Sequence, residues 1–339
     1  MTKRREFLIG SAVAAGVARA WGQTAHRAKM DRVAVMSYSF DLIMKSAAGP
    51  DDPQRTLDIL DFPDEMAQRY GIHNLEIQQE HFRSTEPDYL GEFKNRLTKA
   101  QSRVTQLVLE LGAHNISTTD PAVRSETIEL TNQWIDRAVF LSAARVMINQ
   151  GTLAPDVRTT AAETLKTIKA YADTKKVMVT VENRDDPPGY VSSTVSNGGG
   201  LDGAGGAAGA PNSAAGGAPN SAAAAPPARP PEHTWEDEVD LIRAAGVWAN
   251  PDVASFPDNA AREAGLRVMY AMATSSHFKY MPNLFDAARA IQISKEVGYK
   301  GLYSIEAEPL TPQPYPFVQT ILDVLLRNLL PVAPRRNLP

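Results

Sequence analysis

The sequence predicts an α/β protein built as a single (β/α)8 barrel. Three observations carry that expectation. Eight short runs rich in β-branched residues alternate strictly with eight longer segments of helical periodicity. Runs such as Val177-Met178-Val179-Thr180-Val181 are apolar on both faces, as strands covered by helices should be. Setting aside two segments of foreign composition leaves about 275 residues, close to the roughly 250 of such a barrel.

The elements follow in order. Val33–Ser39 is the first predicted strand and Asp64–Tyr70 the first helix; Leu75–Gln79 and Tyr89–Ser102 come next, then Val104–Leu111 and Ala122–Leu141. Arg145–Asn149 precedes Thr160–Asp173, and Val177–Val181 precedes Glu236–Ala245. Val247–Pro251 with Asn259–Met272, Ser275–Phe278 with Leu284–Val297, and Gly301–Ile305 with Phe317–Leu329 complete the set. Each helical segment places apolar residues three and four apart, the spacing of a buried stripe. End signals agree: Asp120-Pro121 reads as an N-cap and first helical position, and Gly71, Gly246 and Gly298 stand just past predicted C-termini.

The two foreign segments have different characters. Residues 1–20 carry Arg4-Arg5, a short Gly- and Ala-rich apolar stretch and Ala18-Arg19-Ala20, the three parts of a twin-arginine export signal. The apolar stretch is too short to span a bilayer, so no membrane anchor is expected after cleavage. The expected location is the periplasm or the exterior, with the twin-arginine translocase as a partner during export. Residues 188–231 are nearly all Gly, Ala, Pro, Ser and Asn, with Gly-Ala-Pro-Asn-Ser-Ala-Ala occurring at 209–215 and again at 217–223. Such a stretch has almost no apolar side chains to offset ordering entropy, so a disordered insert is expected. It follows Glu182 at the rim of the barrel, where the composition favours a passive loop over a lid. The C-terminal residues 331–339 read as an exposed tail.

Bulk charge narrows the function. The formal charge of −4 becomes −7 once the leader is removed, because Lys3, Arg4, Arg5 and Arg19 go with only Glu6. An acidic chain without a basic stripe is a poor nucleic-acid binder. The absence of cysteine rules out disulfides and thiolate metal sites.

In a (β/α)8 barrel the C-terminal strand ends build the active site. Here four successive strands end in chemistry-bearing residues: Glu182-Asn183-Arg184-Asp185, Asn250-Pro251-Asp252, Ser276-His277-Phe278-Lys279 and Ser304-Ile305-Glu306-Ala307-Glu308. Converging carboxylates repel one another, and a divalent cation relieves that repulsion. An oxygen-rich set with one imidazole suits one Mn2+, Mg2+, Co2+ or Zn2+ ion. Singly, each residue has a structural alternative: His277 as a hydrogen-bonded core residue, Glu182 or Glu306 in ion pairs with Arg184 or Lys279. His81, after the second strand, and Lys279 are candidates to bind substrate hydroxyls or a leaving group, with loop and surface roles as the alternative. His114 is a further rim histidine. Trp134 and Trp235 fall on helices and read as packing residues.

The motifs Ser37-Tyr38-Ser39-Phe40, Glu76-Ile77-Gln78, Val181-Glu182-Asn183, Asn250-Pro251-Asp252, Ser276-His277 and Tyr303-Ser304-Ile305-Glu306 together resemble the sugar phosphate isomerase/epimerase family of xylose isomerase-like TIM barrels. The resemblance covers the chain after the leader, apart from the insert. It implies that Glu182, Asp252, His277 and Glu306 bind one divalent metal, and that Glu182 and Glu306 also move protons. Glu308 competes with Glu306, since residues two apart on a strand share a face. The implied reaction removes an α-proton from a sugar and passes through an enediolate.

Two features depart from the family's name. No Gly-rich turn feeding a helix N-terminus, as a phosphate subsite would show, occurs outside the insert. Export would also place the protein where sugar phosphates are scarce. The expected substrate is therefore an unphosphorylated sugar or keto-sugar. A lyase or hydrolase cleaving a keto-glycoside is the second enzyme reading, and a non-catalytic periplasmic sugar-binding barrel is the reading from another class. An apurinic-site nuclease, which shares this barrel type, would carry more rim histidines and a basic face than a chain of six histidines and charge −7 provides. The sequence is also compatible with a homo-oligomer.

Overall fold

A computed structural model describes residues 23–46, 52–148, 151–184, 234–308 and 311–329. The expected leader at 1–20, the insert at 188–231 and the tail at 331–339 lie outside the described residues.

The alternation expected from the sequence is present. Residues 23–30 are helical and lead into β1 (Val33–Met36), which passes through a 3-10 segment, Ser37–Ile43, to α1 (Phe62–Tyr70). There follow β2 (Asn74–Gln78), α2 (Pro87–Lys99), β3 (Arg103–Leu109), α3 (Pro121–Leu141), β4 (Arg145–Ile148) and α4 (Arg158–Lys175). The second half holds β5 (Met178–Val181), α5 (Trp235–Ala245), β6 (Trp248–Ala249), α6 (Asn259–Tyr270), β7 (Ser275–Phe278), α7 (Ala287–Glu296), β8 (Leu302–Ile305) and α8 (Tyr315–Asn328). The strands run parallel in the order β6-β5-β4-β3-β2-β1-β8-β7. The ring closes between its two end strands through isolated parallel bridges, Ala249 with Ala273 and Asp252 with His277.

Two strands, β1 and β6, are each shorter by three residues than the sequence suggests, for identifiable reasons. β1 stops at Met36 because Ser37 to Ile43 coil into 3-10 turns, which carry Ser37 and Ser39 inward. β6 keeps two residues instead of five: Asn250 still donates to Val181 O at 2.7 Å, but Pro251 has no N–H to continue the ladder.

Local signals act as expected at the helix ends. Asp120 accepts from the backbone of Ala122 and Val123, with Pro121 at the first helical position. Gly71 and Gly246 take left-handed conformations as C-caps (φ 66 and 71), where a Cβ would be strained. Strand exteriors and inner helix faces merge into one large core, in which Trp134 packs against Phe82 and Trp235 lies against the buried cluster. The N-terminal end of the barrel is closed by three arginines. Arg32 donates to Tyr299 O and Gly301 O, Arg103 to Asn74 Oδ1, and Arg145 to Thr274 and Thr105 O.

Gly265, inside α6, sits where a Cβ would lie 2.3 Å from the ring of the fully buried Phe256 and 3.1 Å from that of Trp235. Helix propensity alone favours Gly265→Ala by about 1 kcal/mol. Overpacking opposes it by about 1–3 kcal/mol. Denaturant titration should find Gly265→Ala destabilised, and adding Phe256→Leu should recover part of the loss.

Candidate metal centre and active site

The site stands at the C-terminal mouth of the barrel, where β5, β7 and β8 end in Glu182, His277 and Glu306. One ligand atom from each of these three lies within 4.8 Å of the others, and all three residues are buried. His277 Nδ1 faces both carboxylates: it is hydrogen-bonded to Glu182 Oε1 and lies 2.9 Å from Glu306 Oε2. One ring nitrogen carries at most one proton and cannot serve both. Accordingly Glu306 Oε2 is buried with no hydrogen-bond partner among the described residues. The other nitrogen, Nε2, lies 2.5 Å from Glu76 Oε1 of β2, which reaches across the barrel.

Asp252 enters through Lys279. The Lys279 ammonium stands 3.0 Å from Asp252 Oδ2, 3.3 Å from Glu306 Oε1 and 2.8 Å from Glu308 Oε1. Asp252 also accepts from Ala254 N at 2.8 Å and Ser255 Oγ at 2.7 Å. Of the expected ligands, the structure therefore brings Glu182, His277 and Glu306 together directly, with Asp252 one ammonium away. Of the two competing glutamates, Glu306 touches the imidazole while Glu308 is Lys279's partner.

Neighbouring residues explain how these groups are held. Asn183 next to Glu182 is fully buried and clamps the β6 loop, accepting from Asp252 N at 2.8 Å and donating to Asp252 O and Ser255 O. Arg184 pairs with Glu110 and reaches Glu182 Oε2 at 3.5 Å. Beneath the site, Gln106 donates to Glu76 at 3.0 Å and accepts from Thr180 at 3.2 Å. A register shift in the β2–β3 ladder, between Leu75 and Glu76, sets Gln106 opposite Glu76. Glu76, Gln106, Asn183 and Glu110 had no assigned role in the sequence reading. The available signal was the alternation Asn74-Leu75-Glu76-Ile77-Gln78, a polar face on a strand expected to be apolar on both.

The remaining sequence candidates lie elsewhere. His81 is fully buried in the turn after β2, its ring nitrogens 2.8 Å from Ser37 Oγ and 3.1 Å from Asp41 Oδ1. It forms a second acidic group with Asp41 and Glu80, separate from the one around His277. His114 pairs with Glu126 on the outer loop after β3.

Charge within the site is unevenly shared. Burial raises the Glu182 carboxyl above its ordinary range, and the like charge of Glu306 adds to this against His277 and Arg184. Burial pushes Glu306 the same way, but Lys279 and His277 outweigh it and hold that carboxyl down to about 2. His277 would be lowered by burial, yet Glu182, Glu76 and Glu306 together carry it well above the usual imidazole value.

The donor set fits a divalent cation. Two carboxylates and an imidazole nitrogen converge on one point, with an orphaned carboxylate oxygen among them, and oxygen-plus-imidazole coordination suits Mg2+, Mn2+, Co2+ or Zn2+.

No family model matches the chain, and no curated protein matches it in sequence. Solved structures do match in shape. The D-psicose 3-epimerase of Clostridium cellulolyticum H10, crystallised with D-tagatose, superposes with a TM-score of 0.58 at 12% identity, covering 88% of this chain and 95% of that one. The shared fold is a TIM barrel. A xylose isomerase-like TIM barrel protein from Mycobacterium smegmatis in complex with magnesium gives 0.55 at 14% identity, over 88% and 97%. The IolI protein with a bound zinc atom gives 0.59 at 12% identity, over 88% and 99%.

In metal-free protein, the depressed Glu306 contributes stability that is present above its unfolded value of 4.5 and lost as pH falls through about 2. Lys279→Met removes its first counter-charge and strands Asp252 and Glu308 as well. The substitution should cost about 3–5 kcal/mol near pH 7, the usual effect of breaking a buried ion pair. It should also flatten the loss of stability between pH 4.5 and 2. Denaturant titrations of chelator-treated protein across that range measure both effects.

Proposed function

We propose that this chain is a divalent-metal-dependent isomerase or epimerase acting on an unphosphorylated sugar or keto-sugar. The observation that carries the reading is the pair Glu182 and Glu306, which flank one imidazole nitrogen while their proton affinities are driven in opposite directions. Two carboxylates pushed apart in this way are the arrangement that acid–base chemistry needs. The fold likeness to an epimerase crystallised with D-tagatose, and to barrels carrying magnesium or zinc, supports the same reading.

In this mechanism Glu182, His277 and Glu306 hold the cation, with Asp252 able to join if Lys279 moves aside. A divalent ion there supplies Lewis-acid stabilisation of the negative charge that an enediolate develops. Glu182 and Glu306 move the proton: one, as base, takes it from the carbon beside the carbonyl, and the other returns one. Delivery to the neighbouring carbon, or to the opposite face of the same carbon, separates isomerisation from epimerisation. Lys279, within 3.3 Å of Glu306, positions a substrate hydroxyl.

Lys279 also favours a second reading. An ammonium beside Glu306 can protonate a leaving group, so β-elimination from a keto-glycoside would use the same residues. We also propose that residues 1–20 are a twin-arginine leader and that the protein acts in the periplasm or the exterior, in keeping with an unphosphorylated substrate.

The purified protein should carry about one divalent ion per chain by elemental analysis, and His277→Ala and Glu182→Ala should each lose it. Screening keto-sugars by mass spectrometry then separates the two reactions, since isomerisation conserves mass and elimination does not. An ion-free wild type, even after incubation with Mn2+, Co2+ and Zn2+, would sink the mechanism and leave the barrel a binding protein.

A further inference from the structure

Glu76 reaches the site from the far side of the barrel. Its strand, β2, is separated from β7 by β1 and β8 in the ring, and the contact with His277 joins residues 201 apart in sequence. No local element requires it. The carboxylate is fully buried, and its known contacts fall on one oxygen: Oε1 receives His277 Nε2 at 2.5 Å and Gln106 Nε2 at 3.0 Å. Oε2 has no hydrogen-bond partner among the described residues. A residue kept only to brace the strands would be expected to use both oxygens, and an apolar residue of like volume would serve as well or better. Gln106 is itself fixed, because its Oε1 accepts from Thr180 and its Nε2 also reaches Asn250 Oδ1 at 3.4 Å. Its amide therefore presents an N–H to Glu76, and the carboxylate is turned so that Oε1 meets the imidazole.

The consequence concerns the imidazole's two nitrogens. A carboxylate on Nε2 can only accept, so that nitrogen keeps its proton. The ring then turns Nδ1 toward Glu182 and Glu306. When an ion is bound, Nδ1 is left with its lone pair facing the two carboxylates. A carboxylate behind a ligating histidine fixes the tautomer and makes the ligating nitrogen more basic.

We propose that Glu76 is a positioning residue that holds His277 with its proton on Nε2 and its Nδ1 aimed between Glu182 and Glu306, setting the affinity of the site for a divalent ion. The inference rests on the metal-site reading above and adds a residue that touches neither ion nor substrate.

The test uses the full chain with Zn2+ and Mn2+ as probes, titrated against a chelating dye. Glu76→Gln keeps the volume and loses the charge; its affinity should fall about tenfold, and that of Glu76→Ala up to about 100-fold. Circular dichroism and melting of the ion-free proteins establish that both variants are folded, and the Gln variant carries the test if the Ala variant is not. Nitrogen-15 NMR of the histidine rings gives the second readout. The wild type should show a slowly exchanging Nε2 proton on His277 that Glu76→Ala loses, a signature a purely structural role would not produce. Unchanged affinity in both folded variants overturns the inference while leaving the metal site intact. If the wild type itself binds neither ion, the metal reading fails instead. The NMR arm then decides the ring's positioning: an Nε2 proton dependent on Glu76 sustains it, and its absence overturns it.

Discussion

Charge confined at the mouth of the barrel is the constraint to which the surrounding structure answers. Glu76, Glu182, Asp252, Glu306 and Glu308 bring five carboxylates around His277 and Lys279, with Arg184 at the edge. Burying that much like charge is expensive unless every group has an opposite partner. Lys279 answers for three of the five, and the imidazole is shared by the other contacts. The balance is incomplete where Nδ1 meets two carboxylates, and among the described residues Glu306 Oε2, like Glu76 Oε2, has no hydrogen-bond partner. That point is where a divalent ion would contribute most, because it would add positive charge where hydrogen bonding has run out of donors.

The same residues also close the barrel. β6 and β7 share only isolated bridges, one of which pairs Asp252 with His277. The seam is reinforced by Val253 N donating to His277 O at 3.2 Å and by Ser276 Oγ donating to Pro251 O at 2.7 Å. Asn183 ties the β6 loop back to β5 on the other side. A regular ladder would have kept Asn250 to Asp252 extended and pointed alternate side chains away from the mouth. The short strand leaves these residues free to curl, so that the Asp252 carboxylate meets Ser255 and Lys279. Weak closure and a well-formed site thus have one cause, the break in β6 after Ala249.

Much of this was legible in the sequence because periodicity and capping are local. Asp120-Pro121, Gly71 and Gly246 mark helix ends through their own backbone preferences, and the structure uses them so. Rim residues were legible for a related reason: a strand's last side chains face the mouth wherever the fold is a parallel barrel. What was not legible depends on contacts across the ring. Glu76 lies within a strand and gains its role from His277, 201 residues away, and from a register shift that no local pattern announces. Lys279's place between Asp252 and Glu306 likewise depends on how far the β6 loop bends, which the sequence Asn250-Pro251-Asp252 hints at only through its proline. Residue types named the chemistry, and the barrel's closure decided which of them meet.

The two ends of the barrel carry opposite electrostatic character, and this bears on the proposed substrate. At the N-terminal end, Arg32, Arg103 and Arg145 give their hydrogen bonds to carbonyls, a threonine hydroxyl and an asparagine amide, so their charge is left uncancelled by those bonds. At the mouth, carboxylates outnumber the cations that hold them. A field of that sign draws in a divalent cation and works against an approaching anion. A phosphorylated sugar would therefore meet repulsion at the mouth, where Arg184 is already committed to Glu110 and Lys279 to three carboxylates. A neutral sugar meets no such barrier and brings hydroxyl donors for the orphaned acceptors. The charge distribution favours an uncharged ligand, as does a sequence with no Gly-rich turn feeding a helix N-terminus outside residues 188–231.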